Sequence, residues 1–225
     1  MSKEIKIMLA VAAVVIIGLS LAAVFNKGGS GLATATPIPR DVLIKPASHN
    51  TTTPDAKVVL VEFGDYQCPS CGAAEPIIEQ IRSDYANNPD FDFVFRNFPL
   101  PQHQNAMIAA EAAEAAAAQG KFWEMHDLLY KNQNDWAESS DQLNIFAGYA
   151  QQLGLDVNAF KQAVSSGQLA GQVEADLNDG EQFGVNATPT FFLNGVPAVG
   201  VPDYNGLKSS IDSLLASPSP SASAD

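Results

Sequence analysis

The sequence predicts an α/β domain with a central sheet covered by helices. Residues 57–63 read KVVLVEF, and such a run of β-branched and apolar residues is typical of a strand buried on both faces. Residues 91–98, FDFVFRNF, alternate apolar and polar side chains and predict a second strand. The order along the chain is then strand, helix, strand, a block of helices, a hairpin and a last helix.

The middle of the chain predicts a block of helices. Residues 105–119 are rich in alanine, the best helix former, and Gly120 follows them as a C-cap. Asp156 is a good N-cap for the short helix after it. The helices predicted here span residues 105–119, 121–131, 141–153, 157–164 and 169–183.

The last part of the domain predicts a β-hairpin and a helix. Residues 190–193 and 196–199 are separated by Asn194-Gly195, a pair that favours a two-residue hairpin turn. The final helix is predicted over residues 204–215. Residues 217–225 are rich in serine and proline and predict a disordered tail.

The charge and composition exclude some classes of protein. The 225 residues carry a formal net charge of −13, and 46% are hydrophobic, which is enough for a folded core. Because an acidic body repels phosphate backbones, we expect no nucleic-acid partner.

The N-terminal segment predicts a membrane anchor. Residues 7–25 contain no charged side chain, and a helix of this length, at about 1.5 Å per residue, matches the hydrocarbon thickness of a bilayer. Lys3 and Lys6 precede the run and only Lys27 follows closely, which favours a cytoplasmic N-terminus. The alternative is a signal peptide cleaved near Ala33-Thr34-Ala35.

These patterns divide the chain into four parts. Residues 1–27 are the predicted transmembrane anchor or signal, and residues 28–50, rich in Gly, Ser, Thr and Pro, are the predicted flexible linker. Residues 51–216 form the folded domain, with its helical block at about 99–178. Residues 217–225 form the tail.

The chemistry of the chain is concentrated at Cys68-Pro69-Ser70-Cys71, which contains both cysteines of the sequence. The motif lies between the buried strand and a helix predicted over residues 69–85, for which Pro69 is a favourable first residue. A helix N-terminus has unpaired N–H groups and the positive end of the dipole, and both favour a thiolate. We therefore expect Cys68 to be an exposed nucleophile and Cys71 to be a shielded resolving thiol.

A different interpretation of the cysteine pair is half of a zinc site. Structural zinc sites use four ligands. The sequence has no second cysteine pair, and His49, His103 and His126 are far apart along the chain. We expect no metal, and we interpret His103 and His126 as packing or capping residues.

Several segments together resemble one known family. The strand VVLVEF followed by CPSC, and GVNATPTFFLNG at residues 184–195, are similar to segments of DsbA-like thiol–disulfide oxidoreductases. Pro76 matches a helix-kinking proline of that family, and residues 119–130 and 153–160 resemble its helical insertion. The resemblance covers about residues 55–215. It implies a thioredoxin fold with an inserted helical domain, preceded here by one N-terminal transmembrane helix.

The resemblance also implies roles for residues around the cysteines. Glu62 corresponds to a buried acid beneath the second cysteine, and a buried carboxyl can exchange protons near neutral pH. Pro189 corresponds to a cis-proline, and Thr188 would then flank the disulfide. The alternatives are a surface acid at Glu62, an ordinary trans proline at Pro189 and a threonine at Thr188 that merely suits a strand.

The two residues between the cysteines set the surroundings of the thiolate. Pro69 and Ser70 occupy these positions. The family often has a histidine where Ser70 stands, and a histidine can add positive charge that serine cannot. This departure puts a very strongly oxidising potential in doubt.

The sequence therefore predicts a membrane-tethered dithiol oxidase with its catalytic domain on the periplasmic or extracellular side. The Cys68–Cys71 disulfide would be its redox group, with no cofactor. Its partners would be exported proteins with free thiols and, by family analogy, a quinone-linked membrane reoxidase, and the protein itself would be a monomer. Two alternatives remain, namely a reductase or isomerase kept reduced by a membrane electron donor, and a non-catalytic peptide-binding module.

Overall fold

The structure is a computed structural model that describes residues 36–52 and 55–217. The predicted anchor at residues 1–27 and the tail beyond residue 217 lie outside the described residues. Within them, no helix combines the length and the apolar character that crossing a bilayer requires.

Five strands form one sheet. They are β1 (His49–Asn50), β2 (Val58–Gly64), β3 (Phe91–Asn97), β4 (Thr190–Leu193) and β5 (Val196–Val199), in the order β1-β3-β2-β4-β5. The central strand β2 is parallel to β3 and antiparallel to β4, with Leu60 opposite both Phe93 and Leu193. The predicted strands are confirmed, and β1 is an additional edge strand that the sequence did not reveal.

Helices cover the sheet and form the insertion between β3 and β4. Those described are α1 (Arg40–Leu43), α2 (Pro69–Asp84), α3 (Ala106–Ala117), α4 (Phe122–Lys131), α5 (Gln133–Trp136), α6 (Gln142–Gln152), α7 (Val157–Ser165), α8 (Ala170–Gln182) and α9 (Tyr204–Ala216). Every helix predicted within the described residues is present, with ends within two residues of the prediction. The short helices α1 and α5 were not predicted.

The sheet separates two apolar clusters, because successive side chains of a strand point to opposite faces. Val58 and Leu60 of β2 pack on one face with α2, α9 and much of the insertion. Val59, Val61 and Phe63 pack on the other face. This double burial is the physical reason why residues 58–61 and Phe63 are all apolar.

The hairpin turn has the geometry that its two residues predicted. Asn194 has φ 47° and Gly195 has φ 84°, and positive φ at both central residues is the requirement of a type I′ turn. Asn194 also accepts a hydrogen bond from the Val59 N–H through Oδ1, at 2.8 Å. The turn is therefore fixed to the beginning of the central strand.

A buried carboxylate fixes the insertion to the sheet. Glu114 of α3 is 2% exposed and accepts hydrogen bonds from Asn97 Nδ2 at 2.8 Å and Gln172 Nε2 at 2.5 Å. His49 Nε2 lies 2.9 Å from the same carboxylate. Because a buried charge is tolerated only with polar partners, Glu114 holds β1, β3 and α8 together around α3.

The described part of the expected linker is docked on the domain, so the predicted extent of the flexible segment, residues 28–50, was wrong. Leu43 of α1 is 2% exposed, and its carbonyl accepts a hydrogen bond from Arg96 Nη1 at 3.1 Å. The N–H of Ile38 donates to the Gly195 carbonyl at 3.0 Å. The sequence did not reveal this docking because the apolar run Val42-Leu43-Ile44 is too short to form a periodic pattern.

Helix α8 packs closely on the sheet at a glycine. A Cβ at Gly180 would lie 2.6 Å from Phe98 Cδ2 and 3.0 Å from Phe63 Cδ1. We expect Gly180→Ala to lower the free energy of unfolding by about 1–3 kcal/mol, although alanine is the better helix former. Gly148→Ala in α6 is the matched control, since nothing lies within 4 Å of a Cβ there.

The control should raise the free energy of unfolding by about 0.5–1 kcal/mol. Urea unfolding followed by circular dichroism measures both variants. Equal effects of the two substitutions would contradict the close packing of α8 on the two rings.

Candidate active site

The turn after β2 places Cys68 at the N-terminus of α2. Cys68 is the N-cap, with φ −69° and ψ 122°, and Pro69 follows in the first turn. The Cys68 N–H donates to the Asp65 carbonyl at 3.0 Å, and the Cys68 carbonyl accepts from the Gly72 N–H at 3.1 Å. The predicted position of the motif at a helix N-terminus is therefore confirmed.

Cys68 is less exposed than we expected. The residue is 6% exposed, and its Sγ lies 3.5 Å from the carbonyl oxygen of Thr188. The segment before β4 covers the sulfur, and sequence spacing gives no indication of that contact. The expectation of an exposed nucleophile was wrong, whereas Pro69 and Ser70 beside it are exposed.

The surroundings of Cys68 favour its thiolate. The pKa of Cys68 is lowered from 9.0 to about 5, first by the hydrogen bond from the Cys71 thiol and then by those from Thr188 and the backbone N–H groups of Cys71 and Ser70. Burial acts in the opposite direction and is outweighed. The backbone N–H groups of Cys71 and Ser70 are the free N–H groups of a helix N-terminus that the sequence predicted, and the two larger contributions come from side chains.

Cys71 lies in the opposite environment. It is 1% exposed, and burial raises its pKa well above 9.0, with further contributions from Cys68 and Glu62. Both cysteines are free thiols in the structure. The pair therefore combines an acidic outer thiol with a buried inner thiol, the arrangement that we predicted for a nucleophile and a resolving group.

Glu62 is buried beneath the pair, as the resemblance implied. It is 1% exposed, and its Oε2 has no hydrogen-bond partner among the described residues. Burial raises its pKa well above 4.5, and the nearby Glu75 raises it further. A carboxyl with a raised pKa can accept the proton of a neighbouring thiol near neutral pH.

Thr188 and Pro189 complete the site from the other side. The peptide bond between them is cis, as expected. The backbone carbonyl of Thr188 lies next to the Cys68 sulfur. Its buried hydroxyl has no other partner among the described residues and is the group that helps to lower the pKa of Cys68.

Asp65 is a site residue that the sequence analysis missed. Its carboxylate accepts hydrogen bonds from the N–H groups of Gln67 at 2.7 Å and Leu100 at 2.9 Å, and it lies 2.6 Å from His103 Nδ1. It joins the turn before Cys68 to the segment after β3. The sequence did contain a signal for this role. An acid three residues before the motif and directly after a buried strand needs hydrogen-bond donors from neighbouring segments.

A second polar cluster lies below the cysteines. His126, expected to be a packing residue, is fully buried, with Nδ1 3.0 Å from the Tyr66 hydroxyl and Nε2 3.3 Å from Glu75 Oε2. Arg82 donates to Glu75 Oε1 at 2.9 Å and to Asp127 Oδ1 at 2.6 Å. The cluster places a second carboxylate near Glu62, which accounts for part of its raised pKa.

The same cluster is the one group in the described part of the chain that could hold a metal ion. Its potential ligands are Glu75, His126 and Asp127, and it includes neither cysteine. The guanidinium of Arg82 already binds both carboxylates. Because the arginine supplies the positive charge, we assign no metal to this cluster.

A cavity of about 780 Å³ opens beside the segment that leads to Pro189. Its walls include the apolar residues Phe98, Leu100, Met107 and Val185, together with His103 and Glu181. One wall of the cavity is connected to the turn before Cys68, because His103 lies 2.6 Å from the Asp65 carboxylate.

The comparisons with known proteins agree with this geometry. The family model described as Thioredoxin matches residues 46–213. The chain belongs to the thioredoxin family. Oxidised BdbD from Bacillus subtilis is 28% identical, with a TM-score of 0.67 and coverage of 75% of this chain and 92% of that one. The α-DsbA1 of Wolbachia pipientis shares the fold, with a TM-score of 0.68 and 20% sequence identity. The match covers 76% of this chain and 92% of α-DsbA1.

The resemblance to DsbA-like proteins is thereby confirmed. Among the structural neighbours, α-DsbA2 of Wolbachia pipientis is described as a thiol–disulfide exchange protein, and it shares the fold with this chain. The thioredoxin fold with inserted helices, which the sequence implied, is the fold observed.

The curated relatives that match this chain are named as sodium/proton antiporters. A protein named Na(+)/H(+) antiporter NhaA 1 from Salinispora arenicola is 39% identical over 163 residues, which are 72% of this chain and 24% of that protein. A protein of the same name from Mycobacterium sp. strain KMS is 43% identical over 150 residues, or 65% and 23% of the two chains. The chain spans about a quarter of the length of these relatives, and the transport in their name is a property of those proteins.

The acidity of Cys68 can be measured directly. In the reduced protein, we expect the ultraviolet absorbance of the thiolate to rise with a midpoint near pH 5, because the Cys71 thiol, Thr188 and two backbone N–H groups stabilise the anion. The Cys68→Ser variant should lose this transition, while Cys71→Ala should shift it upward because the largest hydrogen bond to the thiolate is gone. A native midpoint near that of free cysteine would contradict the site geometry.

Glu62 should make stability depend on pH. Its pKa is raised in the folded state, so the folded protein holds a proton that the unfolded chain releases, and stability is lost as pH rises above the usual 4.5. In the reduced state, we expect Glu62→Gln to be more stable than the native protein at about pH 8, with a difference that shrinks toward about pH 4. Denaturant unfolding at a series of pH values measures the difference in the free energy of unfolding between the two proteins. A difference that does not vary with pH would contradict the buried, protonated carboxyl.

Proposed function

We propose that the protein is a membrane-tethered dithiol oxidase that introduces disulfides into exported proteins on the periplasmic or extracellular side. The lowered pKa of Cys68 beside the buried Cys71 carries this proposal. A stabilised thiolate favours the dithiol form of the enzyme, so its disulfide tends to accept electrons from clients.

The exchange proceeds in two balanced steps from the oxidised enzyme. A client thiolate attacks the Cys68 sulfur, a mixed disulfide forms, and the bond to Cys71 breaks with the electron pair on the Cys71 sulfur. A second client thiolate then attacks the client sulfur of the mixed disulfide and expels Cys68 as a thiolate. The client loses two thiol protons and two electrons, and the enzyme leaves as a dithiol.

The placement of each group supports these steps. The low pKa of Cys68 makes it a good leaving group in the second step. The raised pKa of Cys71 means that its sulfur takes up a proton once released, and Glu62 is the buried group that can exchange that proton. The cavity beside residues 184–186 offers space for client side chains near the segment that leads to Pro189.

The membrane location and the partners follow from the sequence and from the chemistry. The charge-free segment at residues 7–25 supports one transmembrane anchor, and disulfides persist outside the cytoplasm. An oxidase must return its two electrons to an acceptor. We propose a quinone-linked membrane protein as that acceptor. We further propose that the chain is a monomer and binds no cofactor.

Two alternatives use the same site differently. A reductase or isomerase would need its pair kept reduced by a membrane electron donor, and Ser70, which cannot add positive charge near the thiolate, favours this direction. A non-catalytic peptide-binding module would use only the groove beside Thr188 and Pro189. The opposite pKa shifts of the two cysteines argue against a module without turnover.

The reduction potential separates the two directions of electron flow. For an oxidase, equilibration with glutathione should give a value of about −120 to −180 mV, because the thiolate stabilises the reduced form. A value near about −270 mV would assign the protein as a reductase.

The trapped intermediate tests the order of the two cysteines. We mix Cys71→Ala with a client whose thiol is activated as a mixed disulfide with a small thiol. Cys68 attacks the client sulfur, the small thiol leaves, and we expect the enzyme–client disulfide to accumulate because no resolving thiol remains. Cys68→Ser should form none and should lose client oxidation altogether. Gel shift under non-reducing conditions measures both. Client oxidation by Cys68→Ser would contradict the assigned order of the cysteines, and full biological activity of that variant would favour the binding module instead.

A further inference from the structure

The short helix α5 of the insertion presents one side chain to the active-site turn. Gln133, its first residue, donates from Nε2 to the carbonyl of Tyr66 at 2.7 Å and to the carbonyl of Cys68 at 3.0 Å. A primary amide carries two N–H donors, so one group serves both carbonyls. The turn that leads into the cysteine motif is thus held from outside by the insertion.

The position of Gln133 is itself fixed. Trp136, at the other end of α5, is fully buried, and its Nε1 donates to the Leu129 carbonyl at 2.8 Å. Asn132, just before α5, donates from Nδ2 to the Leu128 carbonyl at 2.8 Å. Both contacts anchor α5 to the end of α4, so Gln133 is supported by two packed helices.

The first turn of α2 leaves room for this amide. A Cβ added to Gly72 would lie 2.7 Å from Gln133 Oε1, closer than real Cβ contacts. Gly72 follows Cys71 directly, and its N–H donates to the Cys68 carbonyl, the same oxygen that Gln133 holds. Gly72 and Gln133 therefore both donate hydrogen bonds to the carbonyl oxygen of Cys68.

The contact has a consequence for the sulfur. The Cys68 carbonyl belongs to the peptide group that begins α2, so holding it fixes how the first turn faces the Cys68 side chain. The N–H groups of Ser70 and Cys71 in this turn are among the donors to the thiolate. Donors held in place beforehand stabilise a developing charge better than donors that must reorient.

We propose that Gln133 is a positioning residue for thiol–disulfide exchange, through which the helical insertion fixes the active-site turn and so sets the reactivity of Cys68. The proposal rests on the exchange activity of the cysteine pair, and it is independent of the direction of electron flow and of the membrane anchor.

Two variants test this by different routes. Gln133→Met removes both donors and keeps a side chain of similar length. Gly72→Ala keeps Gln133 and adds a better helix former, but its Cβ displaces the flexible end of the glutamine side chain. The control is Gln119→Met, because Gln119 also makes two backbone hydrogen bonds, to the carbonyl and N–H of Asp156, far from the motif in sequence.

The readouts are the thiolate titration of Cys68 and the reduction potential of the pair. We expect Gln133→Met and Gly72→Ala to raise the titration midpoint by about 0.5–1 pH unit and to make the potential more negative. Gln119→Met should keep the native values, even if it lowers the melting temperature. Gly72→Ala should show the shift without loss of thermal stability.

Native midpoints and potentials in both variants would overturn the proposal, as would an equal shift in Gln119→Met. If Gln133→Met fails to fold, Gly72→Ala decides alone. A reductase-like potential of the native protein would overturn the proposed oxidase and leave this proposal standing, because the shifts are measured relative to the native protein.

Discussion

The stabilisation of a thiolate at the N-terminus of α2 is the interaction on which the rest of the site depends. A sulfur anion at Cys68 needs several donors. The Cys71 thiol, one helical turn away, contributes most, Thr188 follows, and the backbone N–H groups of Cys71 and Ser70 are free to donate only because a helix begins there. The same first turn carries Cys71 inward, where burial keeps its thiol protonated. One helix terminus therefore creates the difference in acidity between the two sulfurs that thiol–disulfide exchange uses.

The remaining elements hold that terminus in place. Strand β2 is buried on both faces and delivers the turn to the end of the sheet. Asp65 fixes the turn to the segment after β3, and Thr188 approaches the sulfur from the segment before β4. The insertion contributes Gln133 from a third direction. The thioredoxin fold supplies the helix terminus, and contacts from parts of the chain distant in sequence fix its geometry.

Much of the fold could be predicted because its signals are local. The alternation or continuity of apolar residues identified β2 and β3, and Asn194-Gly195 identified the hairpin, since only a few residues adopt positive φ easily. The same local reasoning missed α5 and the docking of α1. Both are short, and both are stabilised by contacts with distant elements, such as that of Leu43 with Arg96, rather than by their own sequence.

The sequence alone determined the type of chemistry, because two cysteines one helical turn apart after a buried strand can form a disulfide at a helix N-terminus. It also indicated Glu62, through the resemblance to DsbA-like proteins and its place in an apolar strand. The tertiary structure decided how far Cys68 is covered and which groups surround it. The coverage and the surroundings of Cys68 depend on Thr188, Asp65 and Gln133. Long-range packing brings these residues to the motif, and no local sequence pattern encodes it.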